Sequence, residues 1–141
     1  MIHTKKPEHF TPKFEVVSCF LQYEDEILLL LRQDHKNEGN TYWVPAGKVW
    51  PEEHINEAIQ REIAEETSLD LERISYFKKL YVQYPTYDFV YHIYYKKLEN
   101  KPIIIINPEE HKKYIWRTPE QALKEPLIQD LDACIKMFYQ I

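Results

Sequence analysis

"REIAEE", residues 61–66, sets Glu62, Glu65 and Glu66 near the end of what reads as a helix. At about 100° per residue, with Glu62 at zero, Glu66 falls near +40° and Glu65 near −60°. On the same wheel Ile55 lies near +20°, Ala58 near −40° and Ile59 near +60°, again roughly. The acids therefore continue the apolar stripe; a solvated face would lie across the helix from it. Like charges within a turn repel, and negative charge at a helix C-terminus opposes the macrodipole. Burial adds to both costs. Arg61 can pair with Glu57 or Glu65, but one guanidinium cannot neutralise the cluster. A hard divalent cation can, and an all-oxygen ligand set points to Mg²⁺, with Mn²⁺ as a substitute, rather than to Zn²⁺.

Upstream, Pro51 suits a first helical turn, and Glu52 and Glu53 favour its positive end, so the helix is expected over 51–67. It is preceded by "YWVPAGKVW", in which Pro45 and Gly47 break a short apolar stretch, and by the polar loop "DHKNEGNT". Before these, "FEVVSCFLQY" and "EILLLLRQ" read as two strands joined at Glu24-Asp25. Residues 1–12, polar with Pro7 and Pro12, read as an extended arm on a single domain of residues 13–141. Downstream, "RISYFKKLYVQY" and "YDFVYHIYYKK" suggest a hairpin across Pro85-Thr86. "IIII" at 103–106 suggests a short buried strand or a sheet edge, and Thr118-Pro119-Glu120 opens a helical turn. "LIQDLDACIKMFY" suggests a terminal helix with Leu127, Leu131, Ile135 and Phe138 on one stripe.

A length of 141 residues suffices for one core, and a net charge of −5 gives no support to binding along a nucleic-acid backbone. A small phosphorylated ligand stays compatible, because one metal ion can reverse the local field. Cys19 and Cys134 stand in apolar contexts without ligand spacing and read as buried thiols of a reducing compartment. "MIHTKKPEHF" carries no apolar signal core and no run approaches the roughly 18 apolar residues of a membrane helix, so a cytoplasmic protein is expected.

"GKVWPEEHINEAIQREIAEETSL", residues 47–69, resembles the signature of the Nudix hydrolases through Gly47, Glu53, Arg61, Glu62, Ile63, Glu65, Glu66 and Leu69. Ser68 replaces the second glycine of that signature, and Ala46 the first glycine of the Trp-x-x-Pro-Gly-Gly approach. "YIWRTPEQAL" resembles the turn before the family's last helix. The resemblance implies an α/β (α+β) fold with a mixed sheet sandwiched between helices. It also implies metal-assisted attack of water on phosphorus, cleaving a pyrophosphate bond in a nucleoside diphosphate linked to another group.

On that resemblance Glu62, Glu65 and Glu66 hold the metal, Gly47 brings a carbonyl to it, Arg61 orients the glutamates and Glu53 pairs with Arg61. One of the glutamates, or a loop acid, takes the proton of the attacking water; Glu110 is the better loop candidate, ahead of Glu109. Lys48 and Arg32 are candidates for phosphate, and Trp43, Tyr84 and Tyr87 for a base. His92 reads as a hydrogen-bonded sheet residue. A MutT-like triphosphate pyrophosphohydrolase ranks first. Pro85, 16 residues after Leu69, resembles ADP-ribose pyrophosphatases, and Tyr87, 18 after, resembles dinucleoside polyphosphate hydrolases. A non-catalytic nucleotide-binding module is the reading from another class. The expected partner is a small nucleotide, with a homodimer left open and neither membrane nor extended nucleic acid expected.

Overall fold

The computed structural model describes all residues, 1–141. Alternation in the first two long strands determines the layering. In β2 (Pro12–Tyr23) Val17, Cys19 and Leu21 face one way, and Val16 and Phe20 the other. In β3 (Glu26–Arg32) Leu28 and Leu30 oppose Ile27 and Leu29, so the run "ILLLL" is covered on both faces. The first set packs with Ala58, Ile59 and Ile63 of α1 (Ile55–Thr67), and the second with Leu131, Cys134 and Ile135 of α3 (Leu131–Tyr139). The sheet is thus clasped between helices, and each helix buries one apolar stripe.

The remaining strands are β1 (Ile2–His3), β4 (Tyr42–Trp43), β5 (Ala46–Lys48), β6 (Ser75–Gln83), β7 (Asp88–Leu98) and β8 (His111–Arg117), and the expected turn after Thr118 is the short helix α2 (Pro119–Ala122). Their order is β1-β6-β7-β2-β3-β4, with β5 on β2 and β8 on β3. The β6–β7 hairpin forms as expected, and β2 runs parallel to β7, which makes the sheet mixed. The arm 1–12 is tied to the sheet where Ile2 and His3 pair with Val82 and Tyr81. Pairing of Val16–Ser18 with Ala46–Lys48 sets β5 against α1, and this contact builds the site.

Three boundaries differ from the sequence reading. The helix expected from Pro51 starts at Ile55, because Glu52 is left-handed (φ 66°) and the Glu53 N–H turns back to the Trp50 carbonyl. His54 is the cap: its Nδ1 accepts from the Asn56 N–H, while Glu57 accepts from the His54 N–H. Glu57 is thus engaged at the cap, where the sequence allowed it to Arg61. "IIII" forms no strand; only Ile104 is buried, while Ile103 and Ile105 are exposed. The Ile105 backbone is satisfied by the end of α1, its N–H bonding the Thr67 carbonyl and its carbonyl the Ser68 hydroxyl. The terminal helix begins at Leu131, not Leu127, because residues 126–128 bond the backbone of Tyr42 and Asp130 is left-handed (φ 70°).

Ser68 ends α1 at φ 64° and ψ 20°, the left-handed geometry that glycine adopts freely, and its N–H closes on the Ala64 carbonyl. A non-glycine residue there costs about 1 kcal/mol, partly offset by the Ser68 hydroxyl bond to Ile105. Ser68→Gly is expected to stabilise the domain by up to about 1 kcal/mol, read as a melting temperature raised by a few degrees. A lowered melting temperature would place the Ile105 hydrogen bond above the backbone strain.

Candidate active site

The inner face of α1 meets β5 where a side chain would not fit. A Cβ at Gly47 would collide with the Glu62 carboxylate, the free end of a flexible side chain, so a larger residue here would push that carboxylate aside. Glu66, one turn on, accepts the Ala46 N–H at 2.9 Å. Both glutamates are buried at 8% exposure, which confirms that the wheel aims them inward. Glu65 differs: its side chain is 49% exposed and stands at the rim. The three line one cleft of about 780 Å³.

Arg61 organises the cluster. Its Nε and Nη2 donate to the two oxygens of Glu53 at 2.8 and 2.9 Å, a forked pair, and Nη1 donates to Glu62 at 2.8 Å. Nη2 also holds the Lys48 carbonyl at 3.0 Å, and Nη1 reaches Glu65 at 3.4 Å. The guanidinium lies 3.6 Å from the ring centre of Trp50, which covers it. Forked geometry of this kind requires arginine. Hydrogen bonding to Arg61 holds the Glu53 carboxyl below its usual range.

Charge remains after this pairing. Burial pushes Glu62 up to about 7 despite Arg61, and burial raises Glu66 well above the usual range against the pull of the Ala46 N–H. Glu110 adds to both shifts, which puts the loop acid within electrostatic reach of the helix glutamates. No three acidic, histidine or cysteine groups converge as a ready ligand shell, because Glu62 is turned to Arg61, Glu66 to Ala46, and Glu65 outward. The donor set is nonetheless oxygen-only, anionic and under-neutralised, which fits a hard divalent cation.

The other residues singled out by sequence fall around the same cleft. Lys48 places Nζ 4.3 Å from the Phe14 ring centre, and Arg32 lies 5.7 Å from that of Trp43 while its Nε donates to the Asn37 carbonyl. Trp43 donates to the Tyr91 hydroxyl, and Tyr87 packs on Phe14 and Tyr84. Glu110 lines the cleft, paired with Lys36 at 3.1 Å; Glu109 does not line it. His92 lies elsewhere, buried between Tyr76 and Glu15 as a hydrogen-bonded sheet residue. Cys19 and Cys134 are buried free thiols. Sequence reasoning missed Trp50 and Asp130 as lining residues. Trp50, between Gly47 and Glu53, was open to reading, whereas nothing near Asp130 announces that its turn closes on the cleft.

A family model for the NUDIX domain matches residues 12–138. The chain belongs to this family, and the fold expected from residues 47–69 is borne out. It is 41% identical over 59 residues to the human 8-oxo-dGDP phosphatase NUDT18, a match covering 42% of this chain and 18% of that protein. The mouse counterpart is 37% identical over 62 residues, covering 44% and 19%. The chain therefore spans under a fifth of the length of these relatives. Among solved structures, the MutT protein of Methanosarcina mazei Go1 superposes with a TM-score of 0.75 at 22% identity, covering 92% of this chain and 94% of that one. The NUDIX domain of Shewanella oneidensis NrtR, complexed with ADP ribose, gives 0.77 at 18% identity over 96% and 92%. A C. elegans Ap4A hydrolase gives 0.74 at 19% over 90% and 96%. At these identities the likeness is one of fold.

A glutamate whose pKa folding raises keeps its proton in the native state after the unfolded chain has lost its own. Metal-free stability should therefore fall as pH rises from the ordinary value of 4.5 through the Glu62 value of about 7. Glu53 acts oppositely, its contribution being lost only in acid. In chelator, thermal denaturation should show a domain less stable at about pH 8 than at about pH 5.5, by on the order of 2 kcal/mol. Added divalent cation should restore stability at the higher pH and do little at the lower. A flat profile, or no response to metal, would contradict the assignment of these glutamates as buried, under-neutralised ligands.

Proposed function

We propose that this domain is a Mg²⁺-dependent hydrolase that cleaves a pyrophosphate bond in a nucleoside triphosphate or another nucleoside diphosphate derivative. The observation that carries the reading is the junction of Glu62 and Glu66 with Gly47 and Ala46, at which negative charge is buried beside a cleft. Glu62, Glu65 and Glu66, with the Gly47 carbonyl, would hold the cation. When bound, Mg²⁺, or Mn²⁺ in its place, supplies neutralisation of phosphate oxygens and a template for in-line attack. The chain's own residues do the rest. Arg61, fixed by Glu53 and Trp50, holds Glu62 and the β5 carbonyl in register. Lys48 and Arg32 meet phosphate oxygens, and neither is committed to an ion pair. Glu110, or one of the helix glutamates, takes the proton of the attacking water. Trp43 and Tyr87 line the space for the nucleoside.

The intact glutamate set favours an enzyme over a binding module. A nucleoside triphosphate is the first-ranked substrate. Tyr87 in the cleft keeps a dinucleoside polyphosphate as the second reading, whereas Pro85 sits exposed in the hairpin turn and supports none. The similarity to an 8-oxo-dGDP phosphatase adds oxidised nucleotides to the set worth assaying. The thiols Cys19 and Cys134 accord with a reducing, cytoplasmic setting.

The test is product identification after incubation in Mg²⁺: a monophosphate and pyrophosphate from triphosphates and oxidised triphosphates, AMP and ribose 5-phosphate from ADP-ribose, and two nucleotides from dinucleoside polyphosphates. Glu65→Gln and Glu66→Gln should each lower kcat by roughly two orders of magnitude or more. Glu66→Gln should also raise the metal-free melting temperature at about pH 8, because it removes a buried charge while keeping an acceptor for the Ala46 N–H. Full turnover in both variants would remove the metal assignment.

A further inference from the structure

The isoleucine run 103–106 lies outside the cleft, and the chemistry there makes no use of it. Ile104 joins the core beneath α1 at 6% exposure, whereas Ile103 and Ile105 stand 84% and 62% exposed. This alternation of out, in and out is that of an extended chain, in which residues two apart point the same way. The two outer isoleucines therefore make one aliphatic face. A single exposed aliphatic side chain is ordinary on a protein surface; two side by side call for an apolar surface to cover them.

The two ends of this face differ in charge. Beyond Ile105 lies the end of α1, since the Ile105 N–H donates to the Thr67 carbonyl at 3.0 Å and its carbonyl accepts from the Ser68 hydroxyl at 3.1 Å. That helix end is rich in acceptors. Its last turn holds no basic residue, Glu65 and Asp70 are exposed around it, and no backbone N–H donates to the Glu65 or Glu66 carbonyl. A helix C-terminus carries partial negative charge and favours a cation. Beyond Ile103, at the other end, stands Lys101. Its Nζ lies 5.8 Å from the Trp116 ring centre, and it forms no ion pair. A cation without an acid and a helix end without a cation thus flank the same aliphatic pair.

A second copy of the chain satisfies both. With a two-fold axis at Ile104, antiparallel stretches set Ile103 of each copy against Ile105 of the other. Lys101 of each then falls beyond that contact, at the α1 end of the other. A two-fold contact makes every such pairing twice, so a surface with complementary ends is complementary to itself. We propose that residues 101–105 and the end of α1 form a dimer surface between two copies of this chain. The inference does not depend on the hydrolase reading.

The test is sedimentation equilibrium of the 141-residue chain over about 1–500 µM, at low and at high salt. Two isoleucines and one cation per copy make a contact smaller than the roughly 800 Å² per partner of a standard interface, so a reversible dimer with Kd on the order of 10–100 µM is expected. Salt should weaken it, because the Lys101 contact is screened. Ile103→Ser and Ile105→Ser should each raise Kd at least about fivefold, with the melting temperature of the dilute chain unchanged. Lys101→Glu should raise Kd by a similar factor, and adding Asp70→Lys should recover most of that loss, which a merely destabilising substitution would not allow. A chain that stays monomeric over the whole range, or a dimer indifferent to the serine substitutions, would overturn the proposal. So would a dimer indifferent to Lys101→Glu, or a charge reversal that Asp70→Lys fails to rescue.

Discussion

The constraint on which this molecule turns is the contact of the Glu62 carboxylate with a backbone that carries no side chain at Gly47. That contact requires β5 to lie on β2 at Val16–Ser18, so that Ala46 and Gly47 face the inner side of α1. It also requires the helix to present acids on the stripe that buries Ala58, Ile59 and Ile63. Apolar burial along the first turns of α1 holds the helix down on the sheet, and the last turns carry charge into the same plane. Hydrophobic packing thereby imposes on the glutamates a position that their own electrostatics oppose.

Arg61 makes this position tolerable without cancelling it. One guanidinium serves Glu53, Glu62 and the Lys48 carbonyl and is covered by Trp50, so it ties the loop before the helix to the helix itself. Burial outweighs the favourable contacts of both carboxylates, and so Glu62 and Glu66 keep raised pKa values. Had evolution placed a hydrophobic pair here, the domain would be more stable in the absence of metal; a buried ion cluster is weak evidence of stabilisation and better evidence of use.

Much of this was legible in the chain. Continuous apolar runs on either side of the Glu24-Asp25 turn identify β2 and β3, and the helical wheel identifies which way Glu62 and Glu66 point. Glu65 misleads, because at −60° it sits at the border of the stripe, and the structure exposes it at the rim. Helix starts were misread for a shared reason. Pro51 and the Leu127 stripe satisfy propensity rules, yet Glu52 and Asp130 take left-handed backbones that composition does not reveal. "IIII" reads as a strand because hydrophobicity ordinarily signals burial, but its backbone partner is the end of α1. Distant residues of the cleft were the least legible. Asp130 and Tyr84 meet only because Tyr42 bonds residues 126 and 128 while the hairpin returns alongside β2, and both facts belong to the topology.

The cations lining the cleft suggest why its chemistry calls for a partner from solution. Arg61 is engaged with Glu53 and Glu62, and Lys36 with Glu110. Arg32 and Lys48 are free of ion pairs, but Arg32 is tied to the Asn37 carbonyl and Lys48 is exposed, where its field is screened. Two such charges cannot balance a polyphosphate brought beside Glu62, Glu65, Glu66 and Glu110. The repulsion would exceed what the lining can return, in a chain already at −5. On the proposed metal-dependent function, a divalent cation between the two anionic groups would relieve both deficits, since it would favour the charged forms of the buried Glu62 and Glu66 and let the phosphates approach. Metal and nucleotide binding would then be coupled through one electrostatic balance, each raising the affinity for the other.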